Sequence, residues 1–162
     1  MMAIWHKVSK DAKGIEEFME CNWCFHDFRI ERVSYIPGKK LAEVFMMYDT
    51  GREGVLLKFL GTQGVNIDIN PNGEYLADWL YGATLLLKEN NRLQWLATDD
   101  LTQEEMKAPP VTWVESDEII WAVTDSNGYP IPLPNDRLNQ VWNHYGKVIE
   151  KHFSFQEWNG SI

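Results

Sequence analysis

Cysteine is scarce in this sequence: Cys21 and Cys24 are the only two in 162 residues. That excludes a scaffold stapled by several disulfides. Positive charge is short as well, with 15 lysines and arginines against 24 aspartates and glutamates and a formal net charge of −9. A phosphate backbone demands a basic patch, and an anionic lipid surface demands the same. Neither nucleic acid nor a membrane is therefore an expected partner. No run approaches the ~20 apolar residues of a membrane span, and Asp78 interrupts the most apolar region. Neither G-x-x-x-x-G-K-[ST] nor G-x-G-x-x-G occurs, which removes the common phosphate-cradling loops. The stretch from Met1 to Lys10 lacks the apolar centre of a secretory leader, so a cytoplasmic location is expected.

Aromatic residues, by contrast, are plentiful at 13%, eight of them tryptophan. Hydrophobic residues at 44% and charged residues at 24% are ordinary values for a folded domain of this length. Residues 9–21 predict a short helix capped by Ser9, with Ile15, Phe18 and Met19 at helical spacing. From Asp27 the pattern turns to strands: FRIERVSYI up to the turn pair Pro37-Gly38, then LAEVFMMYD, GVLLKFLG and GVNIDI. LYGATLLLKE and RLQWLATD predict a hairpin around Asn90-Asn91, because asparagine tolerates the positive φ of a tight turn. VTWVE and EIIWAVTD are two further extended pieces. Leu138, Val141, Trp142, Tyr145, Val148, Ile149 and His152 recur at three and four residues and predict a closing helix over about 136–153.

The expected class is α+β: one domain, 1–162, whose antiparallel sheet is a barrel-like or sandwich-like meander over about 27–124, with an N-terminal and a C-terminal helix packed on it. Trp95, Trp121 and Trp142 belong to apolar faces and should be core. Trp5, Trp23, Trp79, Trp113 and Trp158 fall near element ends, where aromatics line pocket mouths and protein-binding surfaces.

The stretch CNWCFHD, Cys21 to Asp27, carries the densest chemistry. A structural zinc site needs four ligands. Cys21, Cys24 and His26 with one of His6, His144 or His152 would have to supply them, and no spacing enforces that. A redox pair sits at the start of a helix, which lowers the thiolate pKa, whereas here the helix comes first. Structural thiols are the expectation, with no metal and no cofactor. His26-Asp27 could be a base and its orienter, but neighbours on a strand point to opposite faces, and no activated nucleophile accompanies them. They are kept as a possible polar site. Asp68-Ile69-Asn70-Pro71-Asn72-Gly73 matches the first half of a calcium loop, yet its twelfth position is Trp79 in place of a bidentate glutamate. Ordinary turn chemistry explains it better.

Phe25, His26, Asp27 and Ile30, in an F-H-D-x-x-I strand opening, resemble the start of several uncharacterised bacterial β-rich families, over roughly the first third of the chain. Some small acidic proteins of this look are immunity proteins, which neutralise a toxin by binding it. The resemblance implies a bacterial, non-secreted binding protein and carries over no catalytic residue.

Charge, surplus aromatics and the lack of an assembled catalytic set together give the expected function: a non-catalytic protein, immunity-type or regulatory, that binds a protein partner, a basic one being the expectation from the charge. The expected surface comprises Asp99, Asp100, Glu104, Glu105, Glu115, Asp117 and Glu118, all placed in connections, with Trp79 and Trp113. The rival is a small-ligand-binding β-barrel or a hydrolase-like enzyme using His26 and Asp27.

Overall fold

The computed structural model describes residues 4–49, 51–68, 79–132, 140–142, 148–150 and 153–160; for 140–142, 148 and 149 only the backbone is described. In chain order the elements are β1 (His6–Lys7), α1 (Ala12–Cys21), β2 (Phe28–Ile36), β3 (Leu41–Tyr48), β4 (Glu53–Leu60), β5 (Gly64–Asn66), β6 (Thr84–Leu87), β7 (Leu93–Leu96), β8 (Trp113–Ser116), β9 (Glu118–Asp125), β10 (Gln140–Trp142), β11 (Val148–Glu150) and β12 (Gln156–Glu157). Six strands form a large sheet in the order β12-β1-β9-β4-β3-β2, and four form a small one in the order β5-β8-β7-β6. Every pairing is antiparallel. The class is thus mostly β with one short helix, and among the described residues neither sheet closes into a barrel.

Alternation explains how the large sheet divides its side chains. On β3, Ala42, Val44 and Met46 face inward and join one core with Val55, Leu57, Phe59, Trp121 and Val123 of the same sheet. Leu85, Leu93, Trp95 and Val114 of the small sheet enter that same core, as does Phe18 of α1. Trp95 and Trp121 are fully buried, as their apolar strands predict. On the other face of β3, Phe45 and Met47 pack with Leu56 in a smaller outer cluster, against which Trp5 rests.

The helix begins later than the sequence suggests. Asp11, not Ser9, is its cap, and the Asp11 carboxylate accepts from the Gly14 amide at 2.6 Å. Glu17 is buried on it, and its two carboxylate oxygens share the Ser154 hydroxyl proton at 3.1 and 3.2 Å. That ties the segment before β12 to the helix.

Two stretches of backbone pass from one sheet into the other. β4 leads through Gly61 to β5, and β8 leads through Asp117 to β9. Both bends meet: the Asp117 amide donates to Leu60 O at 3.0 Å. Gly61 has φ +68°, and a Cβ there would run into the Asp117 carboxylate, so the corner requires glycine twice over. Arg92 braces it, donating to Gly61 O at 3.1 Å and pairing with Asp117 at 3.3 Å.

Among the described residues of the span 136–153 the expected closing helix is not observed. Residues 140–142 and 148–150 are extended and pair as a hairpin, Gln140 opposite Glu150 and Trp142 opposite Val148. Val141, Trp142, Val148 and Ile149 are β-branched or aromatic and suit a strand. The same residues recur at helical spacing by coincidence. The side chain of Trp142 lies outside the described residues, as do His144 and His152. Among the described residues no helix is long and apolar enough to cross a membrane.

Candidate functional site

The stretch CNWCFHD leaves α1 through a left-handed turn built without glycine. Trp23, Cys24, Phe25 and Asp27 have φ of +50°, +53°, +60° and +65°. Each costs on the order of 1–3 kcal/mol and persists only where its surroundings over-determine it. Those surroundings are plain. Phe25 is fully buried against Phe18, Phe28 and Trp95 at centroid distances of 5.4, 5.5 and 5.9 Å. The buried Asn22 amide donates to Phe18 O at 2.9 Å. The backbone on either side is held too, with the Asp27 amide bonded to Leu80 O and Cys24 O accepting from the Ala83 amide, both at 3.0 Å.

This turn overturns one expectation about His26 and Asp27. Strand alternation should separate them, but β2 starts only at Phe28, and the positive φ of Asp27 swings its carboxylate back. His26 Nδ1 stands 2.9 Å from Asp27 Oδ2, with both side chains about half exposed. They line a cleft of about 380 Å3 with Glu20, Trp23, Cys24 and Tyr48. Such a pair fixes the ring and leaves Nε2 for proton transfer. Cys24, the thiol lining this cleft, is poorly suited: burial first, then the charges of Glu20 and Asp99, push its thiol pKa up. Cys21 is buried and Cys24 exposed, and neither is in a disulfide. Among the described residues no three His, Cys, Asp or Glu side chains are grouped to hold a metal ion. Of the calcium-like loop only Asp68 is described; its amide donates to the Thr112 hydroxyl oxygen at 2.9 Å, and positions 69–73 lie outside the described residues.

A second cleft, of about 680 Å3, adjoins the first through Tyr48, which lines both. Its walls include Arg29, Glu31, Arg32, Phe45, Trp79 and Asn127. In a regular strand Arg29 and Arg32 would point to opposite faces. The register of β2 against β3 shifts between Ile30 and Arg32, so that Arg29 faces Met47 and Arg32 faces Phe45. The extra residue, Glu31, is a β-bulge, which is how a strand re-aims a side chain. Both arginines thereby reach the outer face. The Arg29 guanidinium lies 5.3 Å from the Trp79 ring centroid and bonds Glu31 through Nε at 2.8 Å. The Arg32 guanidinium lies 5.6 Å from the Phe45 ring. Gly128 (φ +86°) sits so close to Phe45 that a Cβ there would strike the ring at 2.8 Å, which pins the 125–129 loop to the cleft floor.

Sequence reasoning missed Arg29, Arg32, Phe45, Tyr48 and Asn127. The only hint was an arginine pair three apart in a strand, which strict alternation cannot place on one face.

The expected acidic surface divides. Asp99, Asp100, Glu104 and Glu105 are exposed. Glu104 is paired with Lys107 at 3.2 Å, and Glu105 accepts from the Thr102 amide at 3.1 Å as a local cap. Glu115 and Glu118 lie within β8 and β9, a correction to their placement in connections, and only Asp117 is at the bend. These three are engaged internally: Glu115 by Lys88 at 3.3 Å, Asp117 by Arg92 at 3.3 Å and Glu118 by Lys7 at 2.8 Å. Trp79 lines the larger cleft, while Trp113 packs on Gly64 in the small sheet and lines neither cleft. Trp23 stacks on Tyr48 at 4.7 Å and forms the wall of the smaller cleft. Compared with protein-family models, with curated proteins and with solved structures, the chain matches none.

Proposed function

We propose that this chain acts by binding a protein partner, without catalysis, through the face where the two clefts meet at Tyr48. The observation that carries the reading is Trp79, 48% exposed and roofed by Arg29 at the mouth of the larger cleft. Tryptophan, tyrosine and arginine are the side chains that most often dominate binding energy at protein interfaces, and this face holds all three. Tyr81 and Tyr129, 84% and 69% exposed, stand two residues along the chain from Trp79 and Asn127. The interior is taken up by packed rings, which favours a surface mode over the small-ligand barrel. The acidic residues keep the role of solubility and long-range attraction. The bacterial, immunity-type form of this reading rests on the F-H-D-x-x-I resemblance.

The test is capture of partners from the native host by the wild type beside Trp79→Ala and Arg32→Glu, followed by direct binding of each purified candidate. A partner of this face loses tenfold or more in affinity to either variant, about 1.4 kcal/mol. Equal capture by all three proteins places the interface elsewhere.

The rival, a hydrolase-like enzyme, draws on the 2.9 Å His26–Asp27 contact. The raised thiol pKa of Cys24 counts against it. Turnover of any ester or amide substrate that disappears in His26→Ala, with the fold intact, would replace the binding proposal.

A further inference from the structure

The charges around the larger cleft are unequally spent. Glu31 engages Arg29. Arg32 is different: among the described residues no carboxylate reaches its guanidinium, which only lies over Phe45. A guanidinium lying over a ring keeps its N–H groups available, and its planar fork is preorganised to grip a planar partner. The opposite charge in the same cleft is Asp49, which is exposed and likewise has no ion-pair partner among the described residues. Arg29 with Glu31 and Arg32 with Asp49 sum to zero. Arg32 can therefore answer one negative charge, whereas a second would meet Glu31 and Asp49 with the other guanidinium already held by Glu31.

The apolar part of the wall is made by the Phe45 ring, the Met47 side chain and the Trp79 indole, beside the polar Ser126 and Asn127. The cleft at Lys10, Asn90, Asn91, Asp117 and Glu118 lacks this combination, because its charges are engaged by Asn91 O, Arg92 and Lys7. The smaller cleft sets Glu20 and Asp27 beside one histidine and offers no fixed cation.

We propose that the larger cleft is a binding site for a carboxylate borne on a flat apolar body, with Arg32 gripping the carboxylate and Phe45, Met47 and Trp79 holding the body. The inference deepens the binding function proposed above, since an acidic side chain of a protein partner beside an aromatic one has this chemistry. A free small acid has it too. A bidentate Arg–carboxylate pair is geometrically specific, so the site separates a carboxylate from an equally flat neutral molecule.

The experiment titrates phenylacetate, benzyl alcohol and phenyl phosphate into 15N-labelled protein and follows the Arg32 Nε–H and Trp79 Nε1–H signals. Phenylacetate should shift both signals saturably, benzyl alcohol should not, and phenyl phosphate should bind more weakly. Arg32→Gln should weaken phenylacetate tenfold or more while the rest of the spectrum stays native, and Arg32→Lys, which keeps charge but loses the fork, should not restore it. Lys39→Gln, on the distant turn after β2, should change nothing. Shifts that do not saturate, equal binding of benzyl alcohol, tighter binding of phenyl phosphate, or full affinity in Arg32→Gln would each overturn the assignment. A separate arm adds phenylacetate to the partner capture. Competition identifies the carboxylate as the partner's. Unimpaired capture with an intact titration retains the site as one for a free acid and removes the protein-binding reading from this face.

Discussion

The imidazole of His6 lies 4.9 Å from the indole of Trp121 and 5.1 Å from the ring of Phe155, and neither of its nitrogens has a hydrogen-bond partner among the described residues. His6 sits in β1, between β9 and β12, and is only 6% exposed. An imidazole enclosed by rings can be kept neutral cheaply, but a charged one there would be desolvated without compensation. Burial accordingly lowers its pKa from 6.5 to about 4.

Acid should therefore loosen this protein through His6. Between pH 6.5 and 4 the unfolded chain binds a proton that the folded one refuses, so stability is highest above that window and falls as pH drops through it. The loss amounts to about 2 kcal/mol by pH 5 and about 3 kcal/mol below pH 4. Urea unfolding of the wild type and of His6→Phe measures it. The variant should lose distinctly less stability between pH 7.5 and 5, and parallel curves would show that His6 is not the source.

The left-handed turn at Cys24 should accept glycine better than its own residue. Cys24→Gly removes strain at φ +53° and deletes an exposed thiol, for a gain of up to about 1 kcal/mol after glycine's entropy in the unfolded chain is counted. Cys24→Val, β-branched at the same φ, should lose about 1–3 kcal/mol. Denaturation midpoints for the two variants must lie on opposite sides of the wild type.

The Cys24 thiol should be slow to alkylate at neutral pH despite its exposure. Glu20→Gln and Asp99→Asn should each speed the reaction, because both carboxylates raise its pKa. Cys21, buried, should react only after unfolding. A native Cys24 faster than a free thiol would contradict the electrostatics described.

Arg92 should matter more than any of the acids it holds. Its side chain is 16% exposed and serves Gly61 O, Glu115 and Asp117 together. Arg92→Ala should cost about 1–3 kcal/mol by leaving half-buried acceptors unpaired. Asp100→Lys, in an exposed loop, should stay within about 0.5 kcal/mol. Thermal unfolding of both variants gives the comparison.

Strands were readable in the sequence wherever turn chemistry bounded them. The β6–β7 hairpin falls where Asn90-Asn91 predicts it, with Asn91 at φ +63°. Pro37-Gly38 separates β2 from β3, and Ser116-Asp117 marks the passage from β8 to β9. What escaped were features in which tertiary packing outweighs local preference. No glycine announces the left-handed turn, because buried Phe25 enforces it. The bulge at Glu31 leaves no mark in an apolar pattern, so the arginine cleft it creates was invisible. The hairpin of β10 and β11 was concealed by side chains that satisfy both periods at once. The acids were read as loop charges because their cationic partners, Lys7, Lys88 and Arg92, lie far from them in the chain.

The double bend at Gly61 and Asp117 has a mechanical side. Two continuous spans of backbone carry load between the sheets, and one arginine is bolted across both. The angle between the sheets is therefore not free to breathe at either bend alone, since flexing one drags the other through a shared brace. Rigidity of that kind is transmitted to whatever the sheets support, so the outer face of β2 and β3 is presented to a visitor as a stiff plate and not as a hinge.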